Sequence, residues 1–95
     1  MELEQLRIFA AAARSGSFSE AARRLYISHS TVSRAVSALE EELGVRLFAR
    51  DRRVSGLTAA GEALLRESEA LLEAADSAAA RVREAGEKEK KKEET

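Results

Sequence analysis

A tight break between two short amphipathic helical patterns, within residues 16–43, constrains the fold of this chain more than any other feature. The second pattern has apolar residues at helical spacing, which places them on one side of a helix facing a core: Val32, Val36, Leu39 and Leu43. The opposite side carries mostly short hydroxylated residues: Ser30, Ser33, Arg34, Ser37 and Glu41. A solvated helix surface usually carries long Lys and Glu side chains instead. The pattern therefore predicts a helix whose polar side can approach another surface closely. The alternative is an ordinary amphipathic helix with small surface residues.

The flanking residues predict where both helices begin. Ser17 opens the S-x-x-E spacing of a capping box, so a helix is expected to start at Phe18, and Ser28 stands where the second helix needs an N-cap. Ala21 and Ala22, on the inner side of the first helix, allow another helix to cross it closely. Two short helices that cross in this way are typical of a helix-turn-helix, whose second helix lies in the major groove of DNA.

The distribution of charge agrees with this interpretation, although the total charge does not. Sixteen basic residues are offset by 17 acidic residues, for a net charge of −1. Residues 14–53 nevertheless hold eight arginines against five acids, whereas residues 58–95 are net acidic. Arg23 and Arg24 are expected on the outer side of the first helix, either near phosphates or simply solvated. Because salt screens charges beyond about 8 Å, attraction to phosphate depends on this local excess.

The residues on either side of the motif are predicted to complete a small core. Residues 2–14 have a broad apolar face and are expected to form a helix, and Gly44 is expected to end the second helix of the motif. Residues 45–48 and 54–57 are predicted to form two short strands of a wing. The tip between these strands carries the basic residues Arg50, Arg52 and Arg53. An arginine in that position can enter a minor groove. The alternative is a solvated hairpin in which the nearby aspartate neutralises its neighbours.

A long helix is predicted after the N-cap Thr58, over residues 59–85, with a length of roughly 40 Å at 1.5 Å per residue. A helix of that length extends past so small a domain, so something else must cover its apolar side. Heptad-like spacing defines a seam for pairing with a second copy: Leu64, Ser68, Leu71, Ala75, Ala78 and Val82, with Leu65, Leu72 and Ala79 beside it. The alternatives are an intramolecular hairpin or an isolated, fraying helix.

The chain is thus expected to divide into three parts: a winged helix-turn-helix at 1–57, a linker and dimerisation helix at 58–86, and a charged tail at 87–95. Every lysine lies in the tail, mixed with glutamates and without apolar periodicity. Such a segment has too little apolar surface to bury, so the tail is predicted to be disordered.

The motifs taken together resemble a known family. The stretches LRIFAAAARSGSFSEAARRL, SRAVSALEEELGVRLFAR and LTAAGEALL are similar, in order and spacing, to the N-terminal domain of the LysR-type transcriptional regulators, over roughly residues 3–75. The resemblance implies a mostly α fold: a winged helix-turn-helix of three helices and a two-stranded wing, followed by a long dimerisation helix. It also implies a sequence-specific regulator that binds an inverted-repeat operator in double-stranded DNA as a homodimer, with its long helices antiparallel.

The resemblance further implies contacts at individual positions. These are base-edge or nearby contacts for His29, Ser30, Ser33 and Arg34, phosphate contacts for Ser17, the Phe18 backbone and Thr31, and wing contacts for Arg50 and Arg53. Arg34 is the strongest candidate, because its guanidinium fork fits guanine O6 and N7 or a phosphate. The alternative for Arg34 is a salt bridge to a glutamate on its own helix. Ser28, His29 and Ser30 stand where the family commonly has S-Q-P, so the preferred DNA sequence is the property that transfers least.

Other classes of function find less support in the residues. A winged-helix protein-interaction module and a ModE-like DNA-binding domain remain as alternatives. With no cysteine, a single histidine and no phosphate-binding loop, the sequence indicates no enzyme, no cofactor and no metal site. No apolar run approaches the roughly 20 residues of a membrane span, so a cytoplasmic protein without a membrane partner is expected. No effector-binding domain follows the linker helix here, so no small-molecule pocket is expected either.

Overall fold

The computed structural model describes residues 1–49 and 56–94. These residues form four helices: α1 (Leu3–Ser15), α2 (Phe18–Leu25), α3 (His29–Leu43) and α4 (Ala59–Glu94). The first three agree with the predicted helices to within a residue or two. Their apolar sides pack together into the core that positions α3.

Serine caps start α2 and α3 at the predicted residues. Ser17 Oγ accepts the Glu20 N–H at 3.1 Å, and Ser28 Oγ accepts the Thr31 N–H at 3.1 Å. Both caps are therefore confirmed, because each satisfies an N–H that the first helical turn leaves without a partner.

The second half of the predicted capping box does not form. The Glu20 carboxylate pairs with Arg23 at 2.7 Å and Arg24 at 3.3 Å, one turn further along α2. The Ser17 N–H donates instead to Ser15 Oγ at 3.4 Å. Glu20 thus neutralises the two arginines that the sequence left either solvated or near phosphates.

The core consists of two adjoining apolar clusters. The first fills the space between α1, α2 and α3 and contains Ile8, Ala12, Ala21, Ala22, Val32 and Ala35. The second joins α1 and α3 to the start of α4 and contains Leu6, Phe9, Leu39, Leu47 and Leu64. Ala21 and Ala22 are buried in this first cluster, in agreement with the prediction that small residues of α2 allow another helix to pack closely against it.

The apolar stripe of α3 is confirmed except at its last residue. Val32, Val36 and Leu39 are buried, whereas Leu43 is 41% exposed. Leu43 is the final residue of α3, and the chain turns away at Gly44 in the left-handed region (φ 68°). The predicted burial of Leu43 is wrong because this last turn extends past the helices that cover the stripe.

The segment after α3 differs from the predicted strand. The N–H groups of Gly44 and Val45 both donate to the Glu40 carbonyl, at 2.9 and 3.2 Å, so Val45 belongs to the end of the helix. Val45 is 42% exposed, while Leu47 is fully buried. Within the described residues the wing consists of one antiparallel bridge between Phe48 and Leu57. The first two residues of the second predicted strand, 54 and 55, lie outside them.

The start of α4 is fixed to the segment before the wing. Thr58 Oγ1 accepts the Gly61 N–H at 3.0 Å, which confirms Thr58 as the N-cap, and it donates to the Arg46 carbonyl at 2.6 Å. Gly61 is buried directly against the Leu47 carbonyl, where a Cβ atom would overlap the oxygen. The glycine of the LTAAG motif is therefore required by this close approach.

The helix α4 continues to Glu94 and so includes residues 87–94, which the sequence predicts to be disordered. Glu and Lys are good helix formers, and pairs such as Glu84–Lys88 and Glu87–Lys91 have the favourable i,i+4 order. A charged segment without an apolar side can thus extend a helix that is already nucleated. Neither α4 nor any other described helix is both long and apolar enough to cross a bilayer.

Candidate nucleic-acid interface

The polar side of α3 is open to solvent. Ser30, Arg34 and Ser37 are exposed, and Ser33 is partly buried at the edge of the same side. Val32, Val36 and Leu39 on the other side are in the core. The arrangement leaves a line of hydroxyls and one guanidinium that another molecule can reach.

Arg34 places a positive charge on this exposed side. Within the described residues its guanidinium forms no ion pair, so the alternative of a salt bridge to a glutamate of α3 is not seen. Arg23 and Arg24, by contrast, both pair with Glu20. Arg34 is thus available for an external anion or a base edge without first losing an internal partner.

The first turn of α3 is held by its own side chains and by an aromatic neighbour. Ser28 Oγ and Thr31 Oγ1 lie 2.8 Å apart, within hydrogen-bonding distance. The exposed His29 ring lies 6.0 Å from the Phe18 ring, centroid to centroid. Both contacts restrict side chains at the end of α3 where the helix dipole favours an anion.

A row of aromatic rings connects His29 to the core. Phe18 meets Phe48 edge to face at 5.2 Å, and Phe48 lies 5.6 Å from the buried Phe9. The sequence predicts Phe48 only as the end of a strand and does not indicate that its ring joins Phe18 to Phe9. Its position in the LG-x-x-LF-x-R motif was the available signal.

A groove of about 350 Å3 lies between the start of α2, the polar side of α3 and the base of the wing. Its lining residues are Gly16, Ser17, Phe18, Ser33, Val36, Ser37, Glu40, Phe48 and Ala49. The groove brings Ser17 and Phe18 beside Ser33, so three residues predicted to contact DNA share one concave surface. Its volume is in the range of small-molecule sites, and the sequence did not predict it, because three separate elements form its walls.

The predicted dimerisation residues fall into two groups. Leu64 is buried in the core of its own chain, and Leu65 and Leu72 pack against the same cluster. Leu71 and Val82 are instead 42% and 71% exposed. Part of the predicted seam is therefore covered by the chain itself, because heptad spacing identifies an apolar side but not the partner that covers it.

Two ion pairs show that α1 packs along the covered side of α4. Arg14 pairs with Glu69 at 2.9 Å and Arg7 approaches Asp76 to 3.8 Å, so α1 runs antiparallel along α4. Ala75 is partly buried and Ala78 is exposed. The surface left for a partner therefore lies around Leu71, Ala78 and Val82.

The predicted wing contacts and the predicted absence of a metal site concern different parts of the chain. Arg50 and Arg53, with the rest of the wing tip, lie outside the described residues. Within residues 1–49 and 56–94, no cluster of three His, Asp or Glu side chains is arranged to hold a metal ion.

Comparison with known proteins adds the family. The model of the bacterial regulatory helix-turn-helix proteins of the lysR family matches residues 3–62. The chain belongs to the LysR family. This LysR-family chain is 51% identical over 73 residues to the HTH-type transcriptional regulator TfdS of Cupriavidus pinatubonensis (strain JMP 134 / LMG 1197), covering 77% of the chain and 25% of TfdS. It is 45% identical over 85 residues to the regulator ClcR of Pseudomonas putida, covering 90% of the chain and 29% of ClcR. The LysR-family chain thus spans less than a third of the length of these two relatives.

Solved structures of LysR-family domains superpose closely on this one. The DNA-binding domain of CbnR in a DNA complex has a TM-score of 0.84 at 42% identity, covering 90% of the chain and 99% of CbnR's domain. The DNA-binding domain of BenM with catB site 1 DNA has a TM-score of 0.86 at 34% identity, covering 90% and 97%. The predicted mostly α, winged helix-turn-helix fold with a long C-terminal helix is confirmed, although the described residues of this LysR-family domain include only the bridge at the base of the wing.

Proposed function

We propose that this LysR-family domain binds double-stranded DNA sequence-specifically, with the polar side of α3 in the major groove, as the DNA-binding part of a transcriptional regulator. The observation that carries the proposal is the open side of α3, where Arg34 forms no ion pair with any residue of 1–49 and 56–94. The CbnR and BenM domains that superpose on it are complexed with DNA. Regulation of transcription would take place in the cytoplasm, and the proposal assigns no catalytic residue and no cofactor.

The positions of the described contact residues support the roles proposed for them. Ser30, Ser33 and Arg34 would face the major groove of the DNA, and the guanidinium of Arg34 offers the bidentate fork that fits guanine. Ser17, the Phe18 N–H and Thr31 lie at helix starts, where phosphate oxygens are favoured. His29 is assigned to the base edges near the start of α3, and Arg50 and Arg53 to the wing. Small hydroxylated residues allow α3 to approach the base edges closely.

A homodimer completes the proposal. Two copies joined through α4 and related by a two-fold axis would bind an inverted repeat, whose half-sites are separated by one or more turns of about 34–36 Å. The residues assigned to this contact are the exposed Leu71, Ala78 and Val82 of the predicted seam, together with the partly buried Ala75. Leu64, Leu65 and Leu72 support it only indirectly, by fixing α4 on its own domain.

Fluorescence anisotropy with a labelled duplex tests the proposal. Binding to a random duplex is expected to weaken steeply as salt rises, because released counterions supply much of the affinity. On a site selected from a random pool, Arg34→Ala is expected to cost about 1–3 kcal/mol. Arg66→Ala is the matched control, since it removes an exposed arginine from α4 and is expected to leave affinity unchanged.

Two results would contradict the proposal. Affinity that does not change with salt would mean that phosphates are not bound. Equal affinities for Arg34→Ala and Arg66→Ala would remove the polar side of α3 from the interface.

A further inference from the structure

The groove beside Ser33, which we call the α3 groove, is a concave site that the sequence did not indicate. It has a volume of about 350 Å3 and is formed by the start of α2, one side of α3 and the base of the wing. Small-molecule sites begin at about 300 Å3, and a cavity of about 150 Å3 is large enough for benzene. The α3 groove therefore has room for one or two fused rings with a short substituent.

One part of the α3 groove is aromatic and apolar. The Phe18 and Phe48 rings meet edge to face, with their centroids 5.2 Å apart, and Val36, which lines the same groove, is only 3% exposed. Both phenylalanines remain partly exposed. Edge-to-face and offset contacts between aromatic rings are favourable beyond the area that they bury. A third, flat aromatic ring is thus the group that fits this part of the groove best.

The other part of the α3 groove carries a negative charge. Glu40 is the only charged residue among the described residues that line it. The Oε2 atom of Glu40 accepts the Leu47 N–H at 2.8 Å, so a backbone group holds the carboxylate in the wall of the groove. A carboxylate can accept about four hydrogen bonds, so a further donor does not have to displace this N–H. The charge of the groove therefore favours a cation and disfavours an anion.

Two serines complete the polar part of the α3 groove. Ser33 and Ser37 are one turn apart and Glu40 follows three residues later, so all three lie along one side of α3. Within residues 1–49 and 56–94 neither hydroxyl forms a hydrogen bond. Each hydroxyl can accept an N–H group or donate to an oxygen. A ligand that lies along this side of α3 can thus bond to a hydroxyl and also reach the carboxylate.

We propose that the α3 groove binds a small aromatic ammonium compound. The ring of the ligand packs against Phe18 and Phe48, and its ammonium group pairs with Glu40. A cation held close to aromatic rings gains further attraction from their faces. Ser17, Phe18 and Ser33 line the groove and are also residues proposed to contact DNA, so the ligand and DNA exclude each other. This exclusion rests on the proposed function, whereas the ligand site itself does not.

Titration of the full chain with three probes, followed by 1H–15N correlation NMR, tests the class of ligand. Tryptamine carries a ring and a cation, indole-3-propionate carries the same ring with an anion, and hexylamine carries the cation without a ring. Tryptamine is expected to bind with a Kd of about 1 mM, as its small size implies, and to shift the resonances of Gly16, Ser33 and Ala49. The other two probes are expected to bind about tenfold more weakly.

Variants assign the two parts of the site. Glu40→Gln removes the charge but keeps an oxygen for the Leu47 N–H, and it is expected to raise the Kd of tryptamine about threefold and to lower that of indole-3-propionate. The matched control Glu41→Gln, outside the α3 groove, is expected to change neither. Ser37→Leu fills the groove and is expected to abolish tryptamine binding, whereas Ala38→Leu, at the next exposed position, is expected to preserve it. Circular dichroism checks that the variants keep their helix content.

Anisotropy with the labelled duplex tests whether the ligand and DNA exclude each other. At about 10 mM tryptamine the apparent Kd for DNA is expected to rise about tenfold, as for a competitor present at ten times its own Kd. In Glu40→Gln the rise is expected to be only about fourfold, which tryptamine bound to the duplex itself would not produce. Hexylamine at the same concentration controls for screening and is expected to change the Kd by less than about twofold.

Three results would overturn parts of the inference. Equal affinities for tryptamine and indole-3-propionate would remove the preference for a cation, and resonance shifts confined to residues outside the α3 groove would remove the site. A DNA affinity that tryptamine leaves unchanged would remove the exclusion. If tryptamine binds in the groove but the chain binds no duplex at any salt concentration, the proposed function fails and the ligand site stands, so the two failures are distinguishable.

Discussion

The helices α3 and α4 each have one side in the core and one side in solvent, but the two solvent sides differ in chemistry. On α3 the exposed side is built from serines and Arg34, which suit phosphates and base edges. On α4 it is built from Leu71, Val82 and alanines, which suit another helix. The comparison shows that exposure alone does not define an interface. The residue types on the exposed side determine which kind of partner each helix can bind.

The largest effect is expected where the covered side of α3 is disturbed. Leu39→Ala removes a fully buried side chain that packs with Leu6 and Phe9, and it is expected to lower the free energy of unfolding by about 2–5 kcal/mol. Chemical denaturation followed by circular dichroism measures the change. Leu43→Ala, on the same helix but 41% exposed, serves as the control and is expected to cost less than about 1 kcal/mol. Similar costs for both would mean that Leu43 is covered in solution.

A smaller effect, with opposite signs at two glycines, is expected on α4. Gly61→Ala forces a methyl group against the Leu47 carbonyl and is expected to destabilise the fold by about 1–3 kcal/mol. Gly86→Ala meets no neighbouring atoms and is expected to stabilise the helix by up to about 1 kcal/mol. Thermal unfolding of both variants gives the comparison directly. A stabilising Gly61→Ala would show that α4 does not approach the wing segment as closely as described.

The smallest effect is expected at the contact between α4 and α1. Ser68 is fully buried, and its hydroxyl has no hydrogen-bond partner among the described residues. Ser68→Ala removes a polar group that loses water on folding, so a gain of about 0.5–1 kcal/mol is expected. Urea denaturation resolves a change of this size when the slopes agree. A loss of stability would instead indicate a buried water on the hydroxyl.

The helix-turn-helix was predictable because local signals determine it. Ser17 and Ser28 cap helices whatever surrounds them, and Gly44 ends α3 through its own backbone freedom. The open side of α3 followed from residue types at helical spacing. These features depend on neighbours in the sequence, which is why they could be recognised without coordinates.

The features that were missed depend on tertiary contacts. Leu64 and Leu71 belong to the same predicted seam, yet Leu64 lies in the core of its own chain whereas Leu71 is 42% exposed. The groove beside Ser33 exists because the chain folds back after α3, so that Phe48 packs against Phe9 and forms one wall of the groove. At residues 87–94 two local signals conflict, because a mixed charge without an apolar side favours disorder whereas Glu and Lys favour a helix.

The hydrogen bond from Thr58 to the Arg46 carbonyl and the close approach of Gly61 to the Leu47 carbonyl restrict rotation of α4 relative to the other three helices. In the proposed homodimer, this junction would therefore fix the distance and the orientation between the two α3 helices. Such a pair would favour inverted repeats of one spacing over those of another.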